Sequence, residues 1–377
     1  MLLGMPAAAG ADAPGDEGIR FACPPSQLEK IEVGMEPYLA SLDIDSAWVV
    51  KKAVRAANTL VYTLNTPRED TNTLDLKDRP ELGIREHIAY LLPAPNGKTR
   101  KVSTVSKKEI LLALLQHGRL TEFKGADCDI EVLKDHVGIR QNIVAWAENL
   151  EWGWPDGNSA TWNKKYWKRG TPRRGVPLHV AVADVFLRQD KYSIGCYTAT
   201  KLAMLQGVLD YFRRIKRDRA QTKQVEDRLL ADREPLVGIE PGKMWDFETD
   251  FDPKERGRPG KILTIRYGVA PKNFVPGDWM YFLNTDPVTR KKTGYEGSNA
   301  IYLGRGRFDD YYNDNGHSYT FKEKLDEVFQ WRNGVFSRSR DRARIKPLTP
   351  PELERLTRTP AEGGIVTDLR VFPLVPS

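Results

Sequence analysis

Apolar residues recur at intervals of three and four through much of the first 150 positions, the spacing that gathers them on one face of a helix. In "DSAWVVKKAVRAANTLVYTLN" the set is Trp48, Val49, Ala53, Ala56, Leu60 and Leu64. "PPSQLEKIEVGMEPYLASL" opens on proline and carries Ser26-x-x-Glu29, a capping box in which each side chain satisfies an orphan backbone N–H. "STVSKKEILLALLQHGRL" has a second box, Ser106-x-x-Glu109, and "IEVLKDHVGIRQNIVAWAENL" repeats the helical pattern. Residues 21–150 are therefore expected to form a mainly helical region.

The texture changes after 150. "EWGWPDGNSATWNKKYWKRGTPRRG" sets Trp152, Trp154, Trp162, Tyr166 and Trp167 among turn residues, so a binding groove and core packing both stand open for these rings. "KYSIGCYTATKLAMLQGVLDYF" then places Cys196 ahead of a helix with an apolar stripe of Ala199, Leu202, Leu205, Leu209 and Phe212. Short runs rich in β-branched and aromatic residues follow: "GKILTIRYG", "DWMYFLN", "NAIYLG" and "RFDDYY". "TFKEKLDEVFQWRNG" closes this part as a helix, with Thr320-x-x-Glu323 as its box and Gly334 as its C-cap. A helix with cysteine at its front, an antiparallel meander and a final helix make an α+β arrangement.

Composition narrows the setting. The 377 residues are 40% hydrophobic and 29% charged, with no apolar run long enough to span a bilayer. "MLLGMPAAAGADAPGDEG" lacks a basic n-region and reads as a flexible tail over 1–20 rather than a signal peptide, which leaves open a delivery route that needs none. The net charge of +7 comes largely from "YFRRIKRDRAQTK" (211–223) and "SRSRDRARIK" (337–346). Solvated helix faces and a basic, proline-containing tail over 337–377 account for these, with an anionic partner as the alternative. Cys23, Cys128 and Cys196 are odd in number and far apart, form no disulfide framework or metal pair, and suit a reducing compartment. No P-loop, HExxH, GxSxG or calcium-loop pattern occurs.

Cys196 carries the chemistry. A thiol at a helix N-terminus meets unpaired N–H groups and the positive end of the dipole, which favour the thiolate that attacks carbonyl carbon. A buried structural cysteine is the plainer alternative. If 299–304 and 307–312 pair across "GRGR", partner numbers sum to about 611, and Glu296 comes opposite the region just before His317. A carboxylate and an imidazole then meet at one mouth of the sheet, as base and orienter for Cys196.

"GCYTATKLAMLQGVLDYF", "FVPGDWMYFLNTDP", "YEGSNAIYLGRGRF" and a histidine ahead of "EKLDEVFQWRNG" resemble the bacterial spore-coat type of protein-glutamine γ-glutamyltransferase, a transglutaminase. The family's Cys-x-Thr-Ala helix start, Gly-Asp-x-x-Tyr-Phe strand and aromatic-x-Gly-x-Asn-x-Ile-x-Leu-Gly strand occur here in order, over roughly 155–335. The resemblance implies a papain/NlpC-P60-like core, with the cysteine helix packed on an antiparallel sheet, in a catalytic domain over 151–336. It implies Cys196, Glu296 and His317 as catalytic residues and Trp167, Tyr197, Tyr295, Asn299 and Asp278 around the substrate, with neither a metal nor an organic cofactor. Gly195 stands where the family has a glutamate before the nucleophile, and Ser298 where it has a second one; Glu296 lies two residues earlier, on the same strand face. The implied reaction joins a glutamine of a protein substrate to a lysine or other primary amine, or deamidates it. No membrane partner is expected, and nucleic acid is disfavoured. An NlpC/P60-type cysteine peptidase or amidase, and a non-enzymatic basic binding module, are the alternatives.

Overall fold

The computed structural model describes residues 17–155, 160–168, 171–230, 264–266, 271–309, 311, 318–336 and 346–371. The N-terminal part holds β1 (Gly18–Ala22), α1 (Pro25–Ser41), β2 (Val49–Val54), β3 (Thr59–Leu64), β4 (Ile88–Pro93), β5 (Thr99–Thr104), α2 (Lys107–Leu115), β6 (Leu120–Lys124) and α3 (Ile130–Ala147). One sheet runs in the order β2-β3-β1-β6, and β4 and β5 form a separate hairpin.

The region is mixed rather than mainly helical. The stretch around Trp48–Leu64 is not a helix but the antiparallel β2–β3 hairpin, with Val49 opposite Leu64 and Val54 opposite Thr59. Its β-branched residues Val49, Val50, Val54, Thr59, Val61 and Thr63 suit a pleated surface, and Asn58 turns the chain at φ 47°. α1 also starts differently, capped by Pro24 with no side-chain bond, so the Ser26 box is unused. α2 keeps half of its box: Ser106 Oγ accepts the Glu109 N–H, while the Glu109 carboxylate accepts the Arg305 N–H at 2.5 Å.

Cys23 and Cys128, expected to be unpaired, form a disulfide. The pairing is topological in origin. β1 and β6 run parallel, with Ala22 opposite Lys124, so the residues just beyond the two strands arrive side by side.

The second part contains β7 (Trp167–Lys168), β8 (Thr171–Pro172), α4 (Leu178–Leu187), α5 (Cys196–Asp210) and α6 (Arg219–Leu230). Next come β9 (Thr264–Arg266), β10 (Trp279–Leu283), β11 (Gly297–Gly304), β12 (Arg307–Asp309), β13 (Ser318–Thr320), α7 (Phe321–Trp331), α8 (Pro350–Leu356) and β14 (Val366–Val371). Six strands make an antiparallel sheet in the order β13-β12-β11-β10-β14-β9. The C-terminal segment is thus more than a tail, because β14 inserts between β10 and β9. The Arg-rich run 337–345 lies outside the described residues, and in 211–223 Arg214 pairs with Asp210 and Lys216 with Asp135.

Strand alternation divides the core. Trp279, Ile301 and Leu303 join α5 in one cluster, while Met280, Phe282, Ala300 and Tyr302 join Leu325 and Val328 of α7 in another. α5 has no exposed stripe: its residues from Thr198 to Leu209 are buried apart from Lys201, as in a central core helix. Its far end locks onto α3, where Asn142 Nδ2 donates to the Gly207 carbonyl at 2.7 Å and Trp146 Nε1 to Asp210 at 2.9 Å. A Cβ at Gly207 would fall 2.3 Å from Ile143, so only glycine permits this approach. No helix among the described residues is long and apolar enough to cross a membrane.

Candidate active site

The Trp-rich segment holds the chain that delivers Cys196. Ser193 bridges to both Gly153 and Thr161, and the Ile194 N–H donates to the Gly153 carbonyl at 3.2 Å. Tyr192 Oη and Asn163 Nδ2 each donate to Asp184 Oδ2 at 2.7 Å. Gly195 is the N-cap of α5, and its carbonyl accepts the Ala199 N–H at 2.9 Å. Cys196 is therefore the first helical residue, a half-buried free thiol at the positive end of α5.

β11 faces it. Asn299 Nδ2 donates toward Cys196 Sγ at 3.3 Å, and Asn299 Oδ1 accepts the Trp279 Nε1–H at 2.8 Å. The Tyr197 ring meets Trp279 edge-on, 5.1 Å between centroids, beside this pair. Below the thiol, Thr200 Oγ donates to the Cys196 carbonyl at 2.6 Å and lies 3.0 Å from the Tyr311 hydroxyl. The Trp152 N–H donates to the Tyr311 carbonyl, tying the sheet margin to the Trp-rich segment. Trp279, Thr200 and Tyr311 were not singled out from sequence. Trp279 stood inside a recognised strand, but only the β10–β11 register, with Tyr281 opposite Asn299 and Trp279 opposite Ile301, brings its indole to Asn299.

The other expected residues divide. Tyr197 and Asn299 stand at the thiol. Asp278 does not: it is fully buried between Arg119 and Arg140 and accepts the Val275 N–H. Burial by itself would raise its carboxyl, but the two guanidiniums outweigh that and hold it at about 2. It clamps β10 to α3 and the β6 approach, and a side chain with no exposure cannot touch substrate. Trp167 packs into the core against Trp162, its Nε1–H donating to the Ala181 carbonyl at 3.2 Å. Tyr295 belongs to the cluster on the α7 side, edge-on to Trp154 and Trp331.

Glu296 is half-buried one residue before β11, its carbonyl accepting the Asn284 N–H at 2.9 Å. The expected alternation works against it. Asn299 is the strand residue on the α5 face, whereas Ser298 falls with Ala300 on the α7 side, its hydroxyl buried without a hydrogen-bond partner. His317 lies outside the described residues. Among the described residues no group of three His, Cys, Asp or Glu could hold a metal ion.

The arrangement sets a free thiol at a helix N-terminus with a neutral amide donor beside its sulfur. No curated protein matches the chain. Among solved structures, a transglutaminase from Geobacillus stearothermophilus without its C-terminal extension aligns at 18% identity and a TM-score of 0.38, covering 65% of this chain and 94% of that one. Residues 94–328, more than half of the chain and reaching well ahead of 155, match the family model of protein-glutamine gamma-glutamyltransferase. The chain belongs to the protein-glutamine gamma-glutamyltransferase family.

Proposed function

We propose that this protein transfers the acyl group of protein-bound glutamine through a thioester on Cys196. The observation that supports this most directly is the free, half-buried thiol at the start of α5 with Asn299 Nδ2 3.3 Å from its sulfur. The thiolate adds to the γ-carboxamide carbon, and the oxyanion is stabilised by donors at the helix N-terminus and by the Asn299 amide. The C–N bond then breaks, the nitrogen takes a proton, and ammonia leaves. A lysine ε-amine attacks the thioester carbon, gives up its proton, and releases the thiolate with an isopeptide bond formed. Water in place of the amine gives glutamate. Glu296 and His317 are the proposed proton carriers, and Tyr197 the ring closest to the arriving side chain.

The test is incubation with a glutamine-bearing protein and a labelled primary amine, following incorporation and ammonia together. Transferase activity gives both, and Cys196→Ala abolishes both. Ammonia without incorporation would mean deamidation. Peptide release instead of either would favour the amidase or peptidase reading, and no Cys196-dependent product would overturn the proposal.

A further inference from the structure

The indole of Trp279 has one polar atom, and it can only donate. That settles which way the amide between it and the cysteine must face. The atom 2.8 Å from Trp279 Nε1 has to be the Asn299 oxygen, so the amino group is the end left facing Cys196 Sγ at 3.3 Å. A flipped amide would set N–H against N–H at Trp279 and present an oxygen lone pair to a thiolate. The N–H against N–H contact is repulsive in any state of the cysteine, and Trp279 and Asn299 are buried, at 0% and 5% exposure, so water does not soften it.

We infer that Trp279 is a positioning residue for the reaction: its N–H locks Asn299 with the amino group toward the sulfur, and through Asn299 it sets the reactivity of Cys196. The inference rests on Cys196 being the nucleophile. The indole is itself held in place. The Tyr197 ring packs against it edge-on, and β10 pairs with β11 on one side and β14 on the other, so neither partner of the Asn299 bond can drift. A neutral donor to a thiolate is a hydrogen bond to a charged group, and its loss corresponds to about a ten- to hundredfold effect.

The decisive variant carries 3-benzothienylalanine at position 279, which keeps the fused-ring shape and replaces N–H by sulfur; Trp279→Phe is its simpler counterpart. Two readouts separate this inference from the acyl-transfer reading. The first is alkylation of Cys196 by iodoacetamide at pH 6, which needs no transferase activity. It is expected to change about three- to tenfold, because the sulfur loses the donor that the indole holds in place. The second is amine incorporation, where kcat is expected to fall about ten- to hundredfold with KM changed less than about twofold. Asn299→Ala should shift each readout in the same direction and by a similar factor, and removing the indole N–H in that background should add nothing further. An unchanged alkylation rate in the benzothienyl variant would overturn the inference, and so would effects of the two changes that simply multiply. If the parent shows no incorporation but the alkylation pattern holds, the acyl-transfer reading fails and the positioning role stands.

Discussion

Asn299 places its side-chain amide 3.3 Å from the Cys196 sulfur, although 103 positions separate the two residues. The contact exists because α5 lies across β11, with α5's N-terminal turn over the strand's first half. What faces the sulfur is a neutral donor. Asn299→Asp keeps the shape and exchanges that donor for an oxygen carrying negative charge. With the Trp279 N–H still bound to one oxygen, the other would oppose the thiolate. Amine incorporation is expected to fall at least about a hundredfold, while the thermal midpoint changes little, because volume and the indole bond are kept.

Asp278 is expected to behave as a structural residue. Asp278→Asn leaves Arg119 and Arg140 buried without a counter-charge, a change that costs about 3–5 kcal/mol of folding free energy. Urea denaturation measures the loss, and KM for the glutamine substrate should be unaffected in the protein that remains folded. Its pH dependence has a defined sign. The folded carboxyl sits at about 2, below its unfolded value, so the clamp is at full strength above about pH 4 and weakens as pH falls toward 2.

Local chemistry was legible where it closed over a few residues. The Thr320 and Glu323 box forms both of its bonds, while the C-cap falls on Arg332 and Gly334 takes the left-handed turn at φ 72° two residues further on. The hairpin register is met by Gly304 opposite Arg307 and nearly so by Tyr302 opposite Phe308, where a bulge intervenes. Cys196 at the front of a helix was visible for the same reason. What failed was decided by distant partners. Trp48 to Leu64 carry helical spacing by coincidence, and pairing with β1 makes them strands. β14 was missed because its neighbours β10 and β9 lie far upstream, and the Cys23–Cys128 bond because it depends on the parallel β1–β6 pair. The turn residues of the Trp-rich segment left groove and core both open for its rings, and packing puts Trp152 and Trp167 in the core. The face on which Asn299 lies could not be chosen without knowing which side α5 covers.

The disulfide closes a sequence separation of 105 residues. A loop of that size is worth about 4–5 kcal/mol in the chain-entropy account. Reductant should therefore lower the urea midpoint while folded protein keeps its amine incorporation, since Cys196 is the free cysteine. Cys23→Ala with Cys128→Ala should reproduce the drop without reductant. Iodoacetamide mapping of the unreduced parent should label Cys196 alone.

Glu109 is buried beneath the β11–β12 turn, and burial pushes its carboxyl up to about 7 despite the Arg305 N–H and guanidinium. The folded state thus holds a proton that the unfolded chain releases near pH 4.5. The stabilisation is complete below that value and disappears as pH rises through about 7. Glu109→Gln keeps an acceptor for Arg305 without the titrating proton. The variant should lose this decline between pH 4.5 and 7 and exceed the parent at pH 8 by on the order of 3 kcal/mol, read from urea curves across the range.

Glu296 bears on where the proton goes. Asn284 fixes this corner of the sheet, its backbone N–H donating to the Glu296 carbonyl and its side-chain amide to the Tyr295 carbonyl at 3.1 Å. The carboxylate therefore leaves a well-held backbone just before Gly297, at the end of β11 nearer to Asn299. Strand alternation does not carry it to the thiol, so a role in proton transfer depends on the turn before the strand. Glu296→Gln preserves size and hydrogen bonding but removes charge and basicity. If Glu296 takes the thiol proton or delivers it to ammonia, turnover should fall about a hundredfold or more. Iodoacetamide should still reach Cys196 in the folded variant. Near-normal incorporation would instead assign the proton to His317, and His317→Gln would then carry the loss.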